Sequence, residues 1–117
     1  MISAYNTALS ALQSFGTKLQ SNSNNIANAN TDGFKRTRVT NASTEPSGVK
    51  AQIDKINSPG PVTYEATNSG YDVVELSNVD LSVEIPDMNL NATMYKANLK
   101  TIETVSEMAG ELLNMKA

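Results

Sequence analysis

Ser21-Asn22-Ser23-Asn24-Asn25-Ile26-Ala27-Asn28-Ala29-Asn30-Thr31-Asp32-Gly33-Phe34-Lys35-Arg36 is the stretch on which the reading of the fold turns. Five asparagines, Asn22, Asn24, Asn25, Asn28 and Asn30, crowd the tail of an apolar repeat that starts at Ile2. Asparagine is a poor helix former because its amide competes for nearby backbone groups. A helix that carries so many must recover stability elsewhere, through side-chain amide bonds to a partner. Asn30-Thr31-Asp32-Gly33 then stops the helix, since Asn and Gly tolerate the left-handed conformation that closes a helix end or a tight turn. Phe34-Lys35-Arg36 leaves in a new direction. Taken alone, these residues describe a helix C-terminus followed by a surface turn.

Toward the N-terminus, Ile2, Tyr5, Leu9, Leu12, Leu19 and Ile26 fall at steps of three and four, with Gly16 and Ser23 where the repeat misses. The spacing predicts one amphipathic helix of about seven turns, ~40 Å long at 1.5 Å per residue. Such a stripe reads equally as the core of a helical hairpin or as a filament seam. Toward the C-terminus, Phe34–Val39 starts a strand and the polar run to Ser47 reads as loop. Gly48–Asn57 alternates like a half-buried strand, and Ser58-Pro59-Gly60-Pro61 is a strong turn signal before Val62–Ala66. One hairpin is therefore expected, with Tyr71–Leu76 extended after it. Asn78 and Asp80 have the chemistry of helix caps, but Pro86 intrudes. Proline disfavours helical geometry in the residue before it, so the last helix is expected to start at Pro86 or Asp87. Met88, Ala92, Tyr95, Leu99, Ile102, Val105, Ala109 and Leu112 then carry it to Asn114.

With 117 residues the chain is one domain at most. Hydrophobic residues make up 39% and aromatics 5%, so the expected core is thin and built from Leu, Ile, Val and Met. Helices suit that better than a large sheet. The chain has no Cys and no His, which removes disulfides, thiolate ligands, the commonest general base and the commonest zinc ligand. No apolar run approaches the ~20 residues that span a bilayer. No basic region followed by an apolar core opens the chain, so a cleaved secretory signal is not expected.

The net charge of −3 is uneven: residues 1–60 carry six Lys/Arg against three acids, and residues 61–117 carry three against nine. The two halves can answer each other within one chain or between copies, with Lys35, Arg36 and Arg38 opposite Glu103, Glu107 and Glu111 as one candidate pairing between copies. No catalytic constellation survives: hydroxyl nucleophiles lack a His partner, and Gly-rich phosphate loops are missing. The basic cluster Lys35, Arg36 and Arg38 is too small, in an acidic chain, for a nucleic-acid contact. The chain is accordingly read as neither an enzyme nor a carrier of cofactor or metal, with no nucleic-acid partner and no membrane insertion.

Asn28-Ala29-Asn30-Thr31-Asp32-Gly33-Phe34-Lys35-Arg36 resembles the signature of the flagellar basal-body rod and hook family, an asparagine-rich helix end that closes with Ala-Asn-x-x-Gly-aromatic-Lys-Arg. Ser77-Asn78-Val79-Asp80-Leu81, Tyr95-Lys96-Ala97-Asn98, Glu107-Met108 and Leu112-Leu113 resemble the same family's C-terminal motif. The short insert between them makes the chain most like the small proximal rod proteins. The resemblance implies a mainly α fold in which long N- and C-terminal helices pair as an antiparallel coiled coil around a small β-hairpin insert. Residues 1–36 would form the N-terminal helix and turn, 37–76 the insert, and 77–117 the C-terminal helix. It further implies a structural subunit of the periplasmic rod, self-assembling with copies and other rod subunits into a helical tube. Export would go through the flagellar type III apparatus without a cleaved signal. The residues carried over as an assembly motif are Asn28, Asn30, Gly33, Lys35, Arg36, Asn78, Tyr95 and Asn98. Asp32 stands where relatives commonly have Pro, and Pro86 interrupts a segment that is usually continuous helix. The rival reading is a soluble helical-hairpin chaperone or adaptor that binds a partner helix in a groove; it accounts for the amphipathic stripes but not for the asparagine motif.

Overall fold

The structure, a computed structural model, describes residues 2–116. The apolar repeat forms helix α1, Ile2–Ala27. Past its end the Thr31 amide donates to the Asn28 carbonyl (3.0 Å), and the Asn28 side-chain amide donates to the Asn24 carbonyl (2.9 Å). Gly33 then turns the chain with φ of +69°. Its N–H donates to the Glu75 carbonyl at 2.8 Å, which ties this turn to residues far along the chain.

Two antiparallel hairpins follow where the sequence predicts one. Strand β1 (Thr37–Ser43) pairs with β2 (Val49–Lys55), Thr37 standing opposite Lys55. Strand β3 (Val62–Thr67) pairs with β4 (Gly70–Glu75), Val62 opposite Glu75. The Ser58–Pro61 turn joins the two hairpins and closes neither. Thr37–Ser43 escapes a periodicity reading because the side it turns inward, Thr37, Val39 and Asn41, is mostly polar. Asn68-Ser69 is a two-residue hairpin loop between Thr67 and Gly70. The β1–β2 hairpin rests on α1: the Val49 amide donates to Ser10 Oγ (3.2 Å), and the Ser21 and Thr37 hydroxyls meet at 2.6 Å. Among the described residues the β3–β4 hairpin touches no helix and no other strand.

Helix α2 spans Leu81–Lys116, starting ahead of Pro86 and running through it. Asp80 is the reason. Its carboxylate accepts from the Ser82 amide (3.0 Å) and hydroxyl (2.6 Å), and its carbonyl accepts from Val83 and Glu84. That is an N-cap, worth about 1 kcal/mol. Pro86 removes one ladder bond, to the Ser82 carbonyl, but Ser82 is exposed and solvent can replace the lost donor. The helices lie against each other: Asn25 meets Glu84, Asn22 meets Asp87 and Asn91, and the Tyr95 ring sits 3.6 Å from where a Cβ on Gly16 would stand. The molecule measures 83 × 24 × 18 Å.

The expected Leu/Ile/Val/Met core is not what the fold buries. Among the described residues Ala8 is the one fully buried hydrophobic residue; the others are Ser14, Asn22, Asn25, Ser77, Glu84 and Asn91. Leu9, Leu12, Leu19 and Ile26 are only half-buried. A single partner helix and a two-stranded sheet cannot cover a stripe that spans a third of a helix surface.

Candidate assembly junction

The foot of the helix pair, where α1 ends and α2 begins, is held together by side-chain amides. Asn25 treats Thr37 as a strand neighbour would: its Oδ1 accepts from the Thr37 N–H (3.0 Å) and its Nδ2 donates to the Thr37 carbonyl (2.8 Å). The same Nδ2 also reaches Glu84 Oε1 at 3.2 Å. Asn22 Nδ2 donates to Glu84 Oε2 (2.8 Å) and Asp87 Oδ2 (2.9 Å), while its Oδ1 accepts from Asn91 Nδ2 (2.8 Å). Asparagine fits because one amide carries both a donor and an acceptor. These contacts supply the partner that the asparagine-rich helix requires.

Glu84 is a carboxylate only 4% exposed. A buried charge is tolerable only when paired and hydrogen-bonded. Two asparagine amides provide the hydrogen bonds, and the Arg36 guanidinium stands 3.7 Å from Oε1. Arg36 is thereby engaged within its own chain rather than free for Glu103, Glu107 or Glu111. Lys35 is engaged likewise, paired with Glu75 and donating to the Ser58 carbonyl (3.3 Å). The bond from Lys35, joined by the Gly60 N–H at 3.0 Å, holds the Glu75 carboxyl below its ordinary value. Asp80 is lowered as well, by the hydroxyl and amide of Ser82.

Asn78 fastens the remaining pieces. Its Oδ1 accepts from the Arg36 N–H (2.7 Å), and its Nδ2 donates to the carbonyls of Ile56 (2.8 Å) and Ser58 (3.0 Å). Its backbone N–H reaches the Phe34 carbonyl at 3.2 Å. Gly60 lies so close to this joint that a Cβ on it would stand 2.1 Å from the Leu76 carbonyl oxygen.

Of the residues expected to act together, Gly33, Lys35, Arg36 and Asn78 meet here. Asn28 closes the end of α1 nearby. Asn30 is exposed and lines an open groove with Arg36, Ser58 and Asn78. Tyr95 and Asn98 lie farther up α2, Tyr95 over Gly16 and Asn98 bonded to the Met94 carbonyl of its own helix (2.8 Å). Glu84, Asp87, Asn91 and Glu75 are not among the residues the sequence assigns to an assembly motif; as acid pairs, Glu84/Asp87 and Asp72/Glu75 read only as solvated charge. A signal for the first three existed: their spacing of three and four puts three polar side chains on one helical face.

Two family models match the chain, in the same order as the two halves of this junction. The flagella basal body rod protein model covers residues 6–35, and the flagellar basal body rod FlgEFG protein C-terminal model covers residues 71–115. The chain belongs to the flagellar basal-body rod family. No curated protein matches it significantly. As a rod protein it is a structural component of the flagellar basal body, associated with other rod subunits, and its family is structural rather than enzymatic. The first model takes in Asn22, Asn25 and Gly33, and the second Asn78, Glu84, Asp87 and Asn91. Residues 36–70, which include β1 to β3, lie outside both. None of the described helices is long and apolar enough to cross a membrane.

Proposed function

We propose that this rod protein is a self-assembling subunit. Its terminal helices pair as an antiparallel coiled coil and associate with further copies and other rod subunits into a helical tube. The observation that carries this reading is the inverted placement of polarity. Among the described residues seventeen large apolar side chains are exposed, while the buried positions between the helices are amides and a carboxylate. On α2, Val83 and Leu90 are seven residues apart, and Met94 and Met108 continue that exposed side. Apolar surface on this scale marks contact with other protein. The Asn22–Asn91 pair then serves as a register key, the role a buried asparagine plays at a coiled-coil seam.

Within this reading Asn28, Gly33, Lys35, Arg36 and Asn78 shape the junction, and Tyr95 sets the spacing of the helices. Asn30 and Asn98, which no other element holds, are left to meet neighbours. Delivery through the flagellar type III apparatus to the periplasmic rod belongs to the same reading and is supported by family membership. The test is twofold. The chain is expected in purified basal bodies, and helicity and sedimentation coefficient of the purified protein should rise together with concentration. A chain missing from basal bodies and monomeric at its highest soluble concentration overturns the reading.

A further inference from the structure

Among the described residues, each hydrogen bond or ion pair that ties the β3–β4 hairpin to the rest of the chain ends on one residue, Glu75. The hairpin packs on no helix and no other strand, and every residue from Tyr64 to Val73 is exposed. The β1–β2 hairpin, by contrast, is fastened to α1 at two heights. Ser10 holds Val49 at one, and Ser21 and Asn25 hold Thr37 at the other. With six residues in each strand, the β3–β4 hairpin is an arm about 20 Å long. A tilt of about 20° at its base carries the Asn68-Ser69 tip through about 7 Å.

Glu75 grips the foot of the molecule in two ways. Its carbonyl accepts the Gly33 N–H at 2.8 Å, a backbone bond to the turn that closes α1. Its carboxylate pairs with Lys35 and accepts the Gly60 N–H at 3.0 Å. Lys35 Nζ also donates to the Ser58 carbonyl (3.3 Å), which Asn78 Nδ2 holds in turn at 3.0 Å. The ion pair thus joins β4 to the neck of the arm and to the Asn78 joint. The two grips differ physically. The backbone bond carries no net charge, whereas the Lys35 and Glu75 side chains are 20% and 40% exposed. Water and salt reach them, and such pairs weaken as salt rises. Bending of the neck has few places to occur. Pro59 and Pro61 fix φ on the outgoing side, which leaves Gly60 between them and Leu76 on the return.

We infer that the Lys35–Glu75 pair is a clasp that sets the angle of the β3–β4 arm against the helix pair. Closed, it aims the arm. Open, it lets the arm pivot about Gly60 and Leu76 while the Gly33 bond keeps the base in place. A few residues at the end of an element suffice to absorb such a motion. Tyr64 and Tyr71, 68% and 77% exposed, ride on the arm, so the clasp decides where the chain presents them. It acts within a single chain and does not require self-assembly.

Distances between two spin labels test it. The chain has no cysteine, so Ser69→Cys on the tip and Gln20→Cys on the exposed side of α1 can be labelled alone. Labelled chain is diluted in unlabelled chain, so that only distances within one copy are read. With the clasp intact the distance distribution should be narrow at neutral pH. Lys35→Met and Glu75→Gln should each widen it at least twofold with helicity unchanged, and Lys35→Arg, which keeps the charge, should leave it narrow. Three results overturn the clasp: an intact chain as broad as the variants, variants as narrow as the intact chain, or Lys35→Arg as broad as Lys35→Met. Loss of helicity in Lys35→Met or Glu75→Gln overturns it too, because the pair then holds the fold and not the angle.

Discussion

Asn25 and Tyr71 stand at opposite extremes: a polar amide 1% exposed and an aromatic ring 77% exposed. The two regions they belong to differ in the same way. The foot of the helix pair is sealed and polar, and the β3–β4 arm is open and largely apolar on one face. Hydrophobic burial is non-directional, whereas hydrogen bonds weaken steeply when misaligned. This chain places directional bonds where a single register of two helices has to be set. It leaves non-directional surface on the arm that packs on neither helix.

The sharpest way to break that contrast is to empty the sealed region. Glu84→Ala strips Asn22 and Asn25 of a shared acceptor and leaves the Arg36 charge without its carboxylate. Removing one partner of a buried charged network costs about 3–5 kcal/mol. Chemical denaturation of the purified chain should show that loss, and a change under about 1 kcal/mol would dissolve the distinction. Gly60→Ala comes next. With the Leu76 carbonyl oxygen 2.1 Å from the new Cβ, the backbones must part, at about 1–3 kcal/mol by the same measurement. Gly33 faces no neighbour within 4 Å, so only its φ resists a side chain. Gly33→Val should cost about 1–2 kcal/mol, and Gly33→Asn less, because Asn visits the left-handed region readily.

Acid sharpens the comparison more gently. Glu75 and Asp80 have native pKa values below their ordinary 4.5 and 3.8. Protons therefore bind the unfolded chain more tightly. The stability these groups contribute is complete above about pH 4.5 and is lost as pH falls through their lowered native values. Thermal melts between pH 6 and pH 3 should show the loss, and Glu75→Gln should flatten its upper part. The smallest effect belongs to the arm. Tyr64→Ser with Tyr71→Ser should move the stability of the isolated chain by no more than about 0.5 kcal/mol, since both rings are largely in solvent already.

Much of this was legible in residue order. The α1 stripe, the stop at Gly33 and the C-terminal helix follow from local pattern, because each rests on backbone geometry that neighbouring residues impose. The family motifs located both halves of the junction. Three features were hidden. The first hairpin hides because the inward side of β1 is mostly polar. The start of α2 hides because Pro86 argues against a helix, while the Asp80 cap and the anchoring of Glu84 outweigh it. The polar core hides because Asn91 and Glu84 become informative only when Asn22 and Asn25 are placed opposite them. The partner of an asparagine cannot be read from the asparagine.

Asn78 carries a consequence for the order of folding. Its amide joins carbonyls at Ile56 and Ser58 to an N–H at Arg36, separations of 20 to 42 residues along the chain. A helix turn closes over four residues and a two-residue hairpin loop over hardly more. Contacts that enclose long loops wait for the chain entropy of those loops to be overcome. The helices and hairpins can therefore appear before the Asn78 amide finds all its partners. Asn78→Ala should accordingly speed unfolding while leaving the folding rate nearly untouched, the kinetic mark of a fastener set last.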